Sequence, residues 1–164
     1  MALIPNAANR FKPARGVVGT WANMEEDNAR TYFAASEFAA GVPVMKGADD
    51  MTAAPLTTGN RFVGISLRTV DMYGAATSDG DATYAAGDIF AVADMGTVFV
   101  LAGAGVVEGA TPFYDPATRK FHGATAAGRL PLNDCEFDES AADGEPVALR
   151  IRLVPGSAVV TAAE

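Results

Sequence analysis

Hydrophobic and polar positions alternate most regularly near the C-terminal end of the chain. Across Val147–Val154, the residues Val147, Leu149, Ile151 and Leu153 interleave with Ala148, Arg150 and Arg152. That period-2 pattern predicts a strand with one buried face and one wet face. Arg61–Thr69 behaves similarly, with Val63, Ile65 and Leu67 on one side and Ser66 and Arg68 on the other. Phe62 falls on the second side, which is therefore not purely polar. Two further apolar runs, Asp88–Ala93 and Thr97–Ala102, are parted by Asp94-Met95-Gly96. These three residues suit the left-handed backbone of a tight turn, so the pattern predicts a hairpin. Within Thr97–Ala102 both faces are apolar, Val98 and Val100 on one and Phe99 and Leu101 on the other. A small domain has little interior with which to cover two faces, so this run points to a second protein surface.

Glycine placement adds an architecture. Ala39-Ala40-Gly41-Val42-Pro43-Val44, Ala85-Ala86-Gly87-Asp88-Ile89-Phe90 and Glu108-Gly109-Ala110-Thr111-Pro112-Phe113 each set a glycine just ahead of a strand-like run. Such a glycine turns the chain where a bulkier residue would clash, and three corners of this kind fit a small β-barrel or β-clip. The N-terminal part reads differently. No period of 2 or 3.6 is sustained before about Thr31, and Pro5, Pro13, Gly16 and Gly19 interrupt any helix. Residues 1–35 are accordingly expected to form an extended arm. A short helix is expected near 24–33, where Asn23 can cap and Glu25, Glu26 and Asp27 occupy a favourable first turn. The expected fold is all-β: this arm, a barrel domain over 36–156 and a tail over 157–164.

Composition narrows the classes. Hydrophobic residues make up 49% of the 164, but 33 residues are alanine, which leaves larger apolar side chains for one modest core. No apolar stretch is long enough for a membrane-spanning helix, and the N-terminus lacks the basic-then-apolar order of a secretory signal. A net charge of −8 argues against a nucleic-acid partner, because phosphate binding needs a basic surface. The charge is uneven. Arg10, Lys12 and Arg15 stand without an acid in the first 15 residues, alongside Phe11 and with Trp21 shortly after. Residues 134–145 carry six carboxylates and no base, and read as a solvated loop.

Candidate chemistry is sparse. His122 is the only histidine, and a lone histidine on a short strand reads as a surface or packing residue rather than a general base. Cys135 is the only cysteine, which excludes an internal disulfide, and its acidic neighbours disfavour the thiolate a nucleophile needs. Ser78-Asp79-Gly80-Asp81 is similar to part of a calcium loop but lacks the remaining ligands, and reads as a turn. No phosphate loop, dinucleotide fingerprint or G-x-S-x-G elbow is present. Val44-Met45-Lys46-Gly47 resembles the Met-Lys of biotinyl and lipoyl carrier domains, although glycine stands where those families carry a second Met or Ala. No catalytic residue, cofactor or metal is expected.

A more extended resemblance lies in the order of short runs. Ser36-Glu37-Phe38-Ala39-Ala40-Gly41-Val42-Pro43-Val44 is followed by Arg61-Phe62-Val63-Gly64-Ile65-Ser66. Then come Tyr84-Ala85-Ala86-Gly87-Asp88-Ile89-Phe90-Ala91-Val92, Gly96-Thr97-Val98-Phe99-Val100 and Val106-Val107-Glu108-Gly109. Over most of 36–125 this resembles the capsid cement, or decoration, proteins of tailed bacteriophages. The resemblance implies a barrel or β-clip homotrimer on the outside of an icosahedral head, clamping neighbouring major capsid subunits. It also implies a virion location, with assembly in the host cytoplasm and neither nucleic acid nor membrane as partner. On that reading Arg10, Phe11, Lys12, Arg15 and Trp21 belong to a capsid-binding arm, and Val98, Phe99, Val100 and Leu101 are candidates for the trimer interface. The alternatives are a phage tail or receptor-binding module and a small enzyme on a β scaffold.

Overall fold

The computed structural model describes residues 16–23, 25–68, 83–154 and 159–162. Among them every regular element is a strand: β1 (Asn28–Ala34), β2 (Phe38–Ala39), β3 (Pro43–Lys46), β4 (Thr52–Pro55), β5 (Asn60–Ser66), β6 (Thr83–Tyr84), β7 (Ile89–Leu101), β8 (Phe113–Asp115), β9 (Lys120–His122), β10 (Leu130–Pro131), β11 (Cys135–Phe137), β12 (Pro146–Arg152) and β13 (Val159–Val160). The order β7-β1-β4-β3-β5 closes through a β5–β7 pairing into a five-stranded barrel. Beyond it, β12 and β11 extend the sheet from β7, and β13 extends it from β5. A small sheet β10-β8-β9 and the pair β2–β6 complete the fold. Closure matters because it removes most of the open edges that a flat sheet of this length would expose.

The alternation over 147–154 is realised. Val147, Leu149 and Ile151 are fully buried on β12, whereas Arg152 is exposed. In the core the rings of Phe38, Tyr84 and Phe90 meet at centroid distances of 5.0–5.5 Å in tilted and edge-on arrangements. The Tyr84 hydroxyl donates to the Leu67 carbonyl, so this buried phenol is satisfied. The three glycine corners also appear. Gly41, Gly87 and Gly109 all have φ between 78° and 91°, each shortly ahead of a strand: β3, β7 and β8. A side chain at such a φ would be strained, which is why the sequence repeats glycine there.

Four local expectations are corrected. No helix forms near 24–33; residues 28–34 are strand β1, hydrogen-bonded antiparallel to β7 and parallel to β4. Asn23 does accept from the Glu25 N–H, as a cap would, but tertiary pairing takes the chain that follows. No hairpin forms at Asp94-Met95-Gly96 either. β7 runs unbroken for 13 residues, and the turn-like residues form a β-bulge. Asn28 faces Met95 while the next residue, Ala29, faces Ala93, so Asp94 is the extra residue. Its carboxylate accepts from Asn28 Nδ2 at 2.6 Å and pairs with Arg30 Nε at 2.7 Å, fastening β1 to the bulge.

The third correction concerns β5. Val44 faces Gly64 and Met45 faces Phe62, so Val63 is a second extra residue that resets the alternation. Phe62 is therefore buried and Val63 only half-buried, and Ser66 and Arg68 on the expected wet face are buried. Ser66 is satisfied by the carbonyls of Ala39 and Val42 and the N–H of Val42. The fourth concerns the acidic run. It contains edge strand β11, whose Cys135 and Phe137 face the core. Glu136 and Asp138 both pair with Arg150 across on β12. The outer side of β11 is closed by the 109–110 turn: Gly109 N–H donates to Phe137 O and Phe137 N–H to Ala110 O.

Candidate interaction surfaces

β7 organises the candidate surfaces, because its two faces meet different things. Val98 and Val100 are fully buried in the chain's own barrel, alongside Val147 and Leu149 of β12. Phe99 and Leu101 point the other way and are half-buried. What covers Phe99 is the chain itself. Gly19 N–H donates to Phe99 O at 2.7 Å, Phe99 N–H to Thr20 O at 2.9 Å and Ala22 N–H to Thr97 O at 2.8 Å. Residues 19–22 thus lie along β7 like an added strand, with Trp21 bridged to Val98. Gly16 sits against the Phe99 ring, with no room for a side chain between them.

The same segment is tied at a second point. Val18 is buried, its carbonyl accepts from Arg68 Nε at 3.2 Å, and Gly19 O accepts from the Arg68 N–H at 2.7 Å. The indole of Trp21 lies over Gly96, which has φ 120°. A Cβ there would stand 2.6 Å from Trp21 Cζ3. Of the expected arm residues, Trp21 is therefore seated on the barrel, while Arg10, Phe11, Lys12 and Arg15 lie outside the described residues. The two-sided apolar run is explained in part by an intramolecular strap. Sequence periodicity could not show this, because the covering segment is irregular and about 80 residues away.

The structure also gathers exposed apolar side chains that the sequence pattern passes over. Phe33 on β1 faces Ile89 on β7 in register, so both side chains emerge on one side of the sheet. They are 42% and 60% exposed. Met51, also exposed, follows closely, since its carbonyl accepts from the Phe33 N–H. Phe33 lies where the helix was expected and Ile89 at the start of a buried-looking run. Only the β1–β7 register brings them together.

The residues weighed for chemistry are dispersed. Cys135 is buried, and desolvation together with nearby Asp134 pushes its thiol well above the usual range. Lys46 stands at the end of β3, paired to Asp50 at 2.6 Å. That bond raises the lysine pKa and lowers the carboxyl. His122 is buried in the small sheet, with Asp115 Oδ2 4.0 Å away. Asp79 and Asp81 lie outside the described residues, and among the described residues no cluster of three metal-ligating side chains exists. Among the described residues, those weighed for chemistry do not converge as a nucleophile, base and orienting group would.

Residues 4–152 match the family described as "Structural cement protein (E217 gp24/Pam3 gp6)". The chain belongs to this family of phage structural proteins. Among solved structures, the chain is similar to a protein of "The capsid of Myoviridae Phage XM1", with a TM-score of 0.65 and 17% identity. That likeness covers 92% of this chain and 98% of the other, and shows a shared fold. A second solved structure, "The crystal structure of head fiber gp8.5 N base in bacteriophage phi29", aligns at a TM-score of 0.41 and 16% identity over 79% of this chain. No curated protein matches the chain by sequence. As a phage cement protein the chain has a structural role in the capsid and is a component of the virion. The match begins at residue 4, so it includes the basic N-terminal segment as well as the barrel.

Proposed function

We propose that this cement protein decorates the outside of an icosahedral phage head as a homotrimer and clamps neighbouring major capsid subunits. The observation that carries the reading is the family match, which spans both the barrel and the N-terminal segment. The strap over 16–22 supports a division of labour. It fixes the root of the N-terminal segment to β7 through Trp21 and three backbone hydrogen bonds, and to Arg68 through the carbonyls of Val18 and Gly19. Residues 1–15, which precede the strap in sequence, carry Arg10, Lys12 and Arg15 around Phe11. On a chain of net charge −8 these cations are drawn to an acidic capsid surface while the body is repelled, which orients the approach. Three such segments on one trimer turn later contacts into intramolecular ones, raising overall affinity by roughly 10²–10⁴. Phe99 and Leu101, half-buried on the outer face of β7, are the remaining trimer-interface candidates. Val98 and Val100 serve the core.

The test is co-sedimentation with heads assembled without the protein, comparing the full chain with one lacking residues 1–15. The truncated protein is expected to stay folded and trimeric and to lose its hold on heads. Equally tight binding by the truncated protein would show that the arm is not the grip. Failure of the full chain to sediment with heads would overturn the decorating role itself.

A further inference from the structure

The region between β7 and the small sheet is held by the chain's only histidine. His122 is the last residue of β9, and its side chain is 9% exposed. Nδ1 accepts a hydrogen bond from the Ala104 N–H at 3.1 Å. Gly103 packs directly on the imidazole, at a distance that leaves no space for a Cβ. The loop 102–106 is otherwise fixed at its ends, by bridges from Ala102 to Phe121 and from Val106 to Ala141. Between them Gly103 N–H donates to Phe121 O at 2.6 Å and Gly123 N–H to Ala104 O at 3.4 Å, while the N–H of exposed Ala104 has the ring as its partner. A nitrogen that accepts cannot carry a proton, so neutral His122 is protonated at Nε2. Among the described residues that buried Nε2 has no hydrogen-bond partner, and Asp115 Oδ2 stands 4.0 Å from it.

From this geometry we propose that His122 is an acid-sensitive latch, closed when neutral and opened by one proton. Protonation places an N–H at Nδ1, directly opposing the Ala104 N–H, and the two donors repel. The imidazolium gains at Nε2 by moving toward the Asp115 carboxylate, 4.0 Å away. The Ala104 N–H is thereby freed, and the loop 102–106 loosens at Ala104, held between its bridges by Gly103 N–H to Phe121 O and the longer Gly123 N–H to Ala104 O. The charged groups around the ring set where this happens. Burial comes first and favours the neutral form, as do Arg129 and Lys120; Asp115 on β8 and Asp143 in the turn before β12 oppose them. The balance lowers the histidine pKa below its usual 6.5. Asp115, although desolvated, is held below its ordinary range by the Thr118 hydroxyl and the N–H groups of Ala117 and Thr118. Asp143 is held low by Lys120. Both carboxylates thus stay ionised while the histidine titrates, and the latch responds to one group.

The experiment is an NMR titration of the full chain from pH 7.5 to 4.5, following the His122 ring and the backbone amides. His122 should titrate below 6.5, and the Ala104 amide should shift and lose its exchange protection at least tenfold with the same midpoint. The Phe99 amide, bonded to Thr20, serves as the fixed reference and should keep its protection. His122→Gln keeps an acceptor for Ala104 and has no proton to gain, so its Ala104 amide should stay protected throughout. The proposal is overturned if Ala104 remains protected while His122 titrates, or if the glutamine variant loses protection at the same pH. Should that variant fold poorly, the native titration alone still decides between the two outcomes.

Discussion

At the residue scale, the side chains with the largest consequences sit where two backbones come close. Gly96 has φ 120° and lies beneath the indole of Trp21. Gly96→Ala forces either a strained backbone or a displaced ring, and is expected to cost about 1–3 kcal/mol in urea unfolding. Trp21 is the only tryptophan, so its fluorescence reports the strap directly. The variant's emission should move to longer wavelength while the far-UV circular dichroism of the barrel persists. An unchanged emission would mean that the ring does not rest on Gly96. Cys135 is a second case. Buried, with its thiol pushed up by desolvation, it should resist a thiol reagent under native conditions and react at the rate of unfolding in urea. Rapid modification of the native protein would show that β11 opens readily.

At the element scale, β7 separates two kinds of apolar residue that look alike in sequence. Val98→Asp places an unpaired carboxylate in the barrel core and should abolish cooperative folding, since such burial costs several kcal/mol. Phe99→Asp acts on the other face. It should detach the strap, red-shift Trp21 and leave the barrel's melting transition in place, lowered by about 1–3 kcal/mol. If both variants unfold alike, the strap is integral to the core rather than laid upon it. The strap also decides where an arm deletion should end. Cutting at residue 15 leaves the contacts of 16–22 intact, whereas a cut at Thr31, the limit of the aperiodic stretch, removes half of β1 from the barrel. The Asp94 clamp to Asn28 and Arg30 would go with it.

At the scale of the whole molecule, a barrel with its edges closed and no disulfide rests on its core and its partners. Melting temperature should be unchanged by reductant, because a lone cysteine closes no loop. It should be equally unchanged by chelator, and a large drop with chelator would point to Asp79 and Asp81 as ligands. The proposed assembly makes a concentration-dependent claim as well. Sedimentation equilibrium should give three times the 16.9 kDa chain mass, and a single-chain species at micromolar concentration would overturn the trimer.

What the sequence determined by itself is whatever depends on local backbone and side-chain chemistry. The period-2 run of β12 requires one buried face wherever that strand lies. The glycines at 41, 87 and 109 permit a left-handed turn before a strand, and the order of these short runs points to the cement proteins. What it left open depends on partners far along the chain. Asp94-Met95-Gly96 is chemically a turn, and becomes a bulge only because β1 pairs along β7 with one residue to spare. Asn23 and Glu25–Asp27 make a fair helix start, yet a short isolated helix gains little, and two neighbouring strands offer hydrogen bonds to residues 28–34 that follow. The second apolar face of 97–102 demands a cover, and nothing local says whose. The tertiary structure assigns the cover at Phe99 to residues 16–22 of the same chain, because pairing and burial are settled by what lies alongside in space.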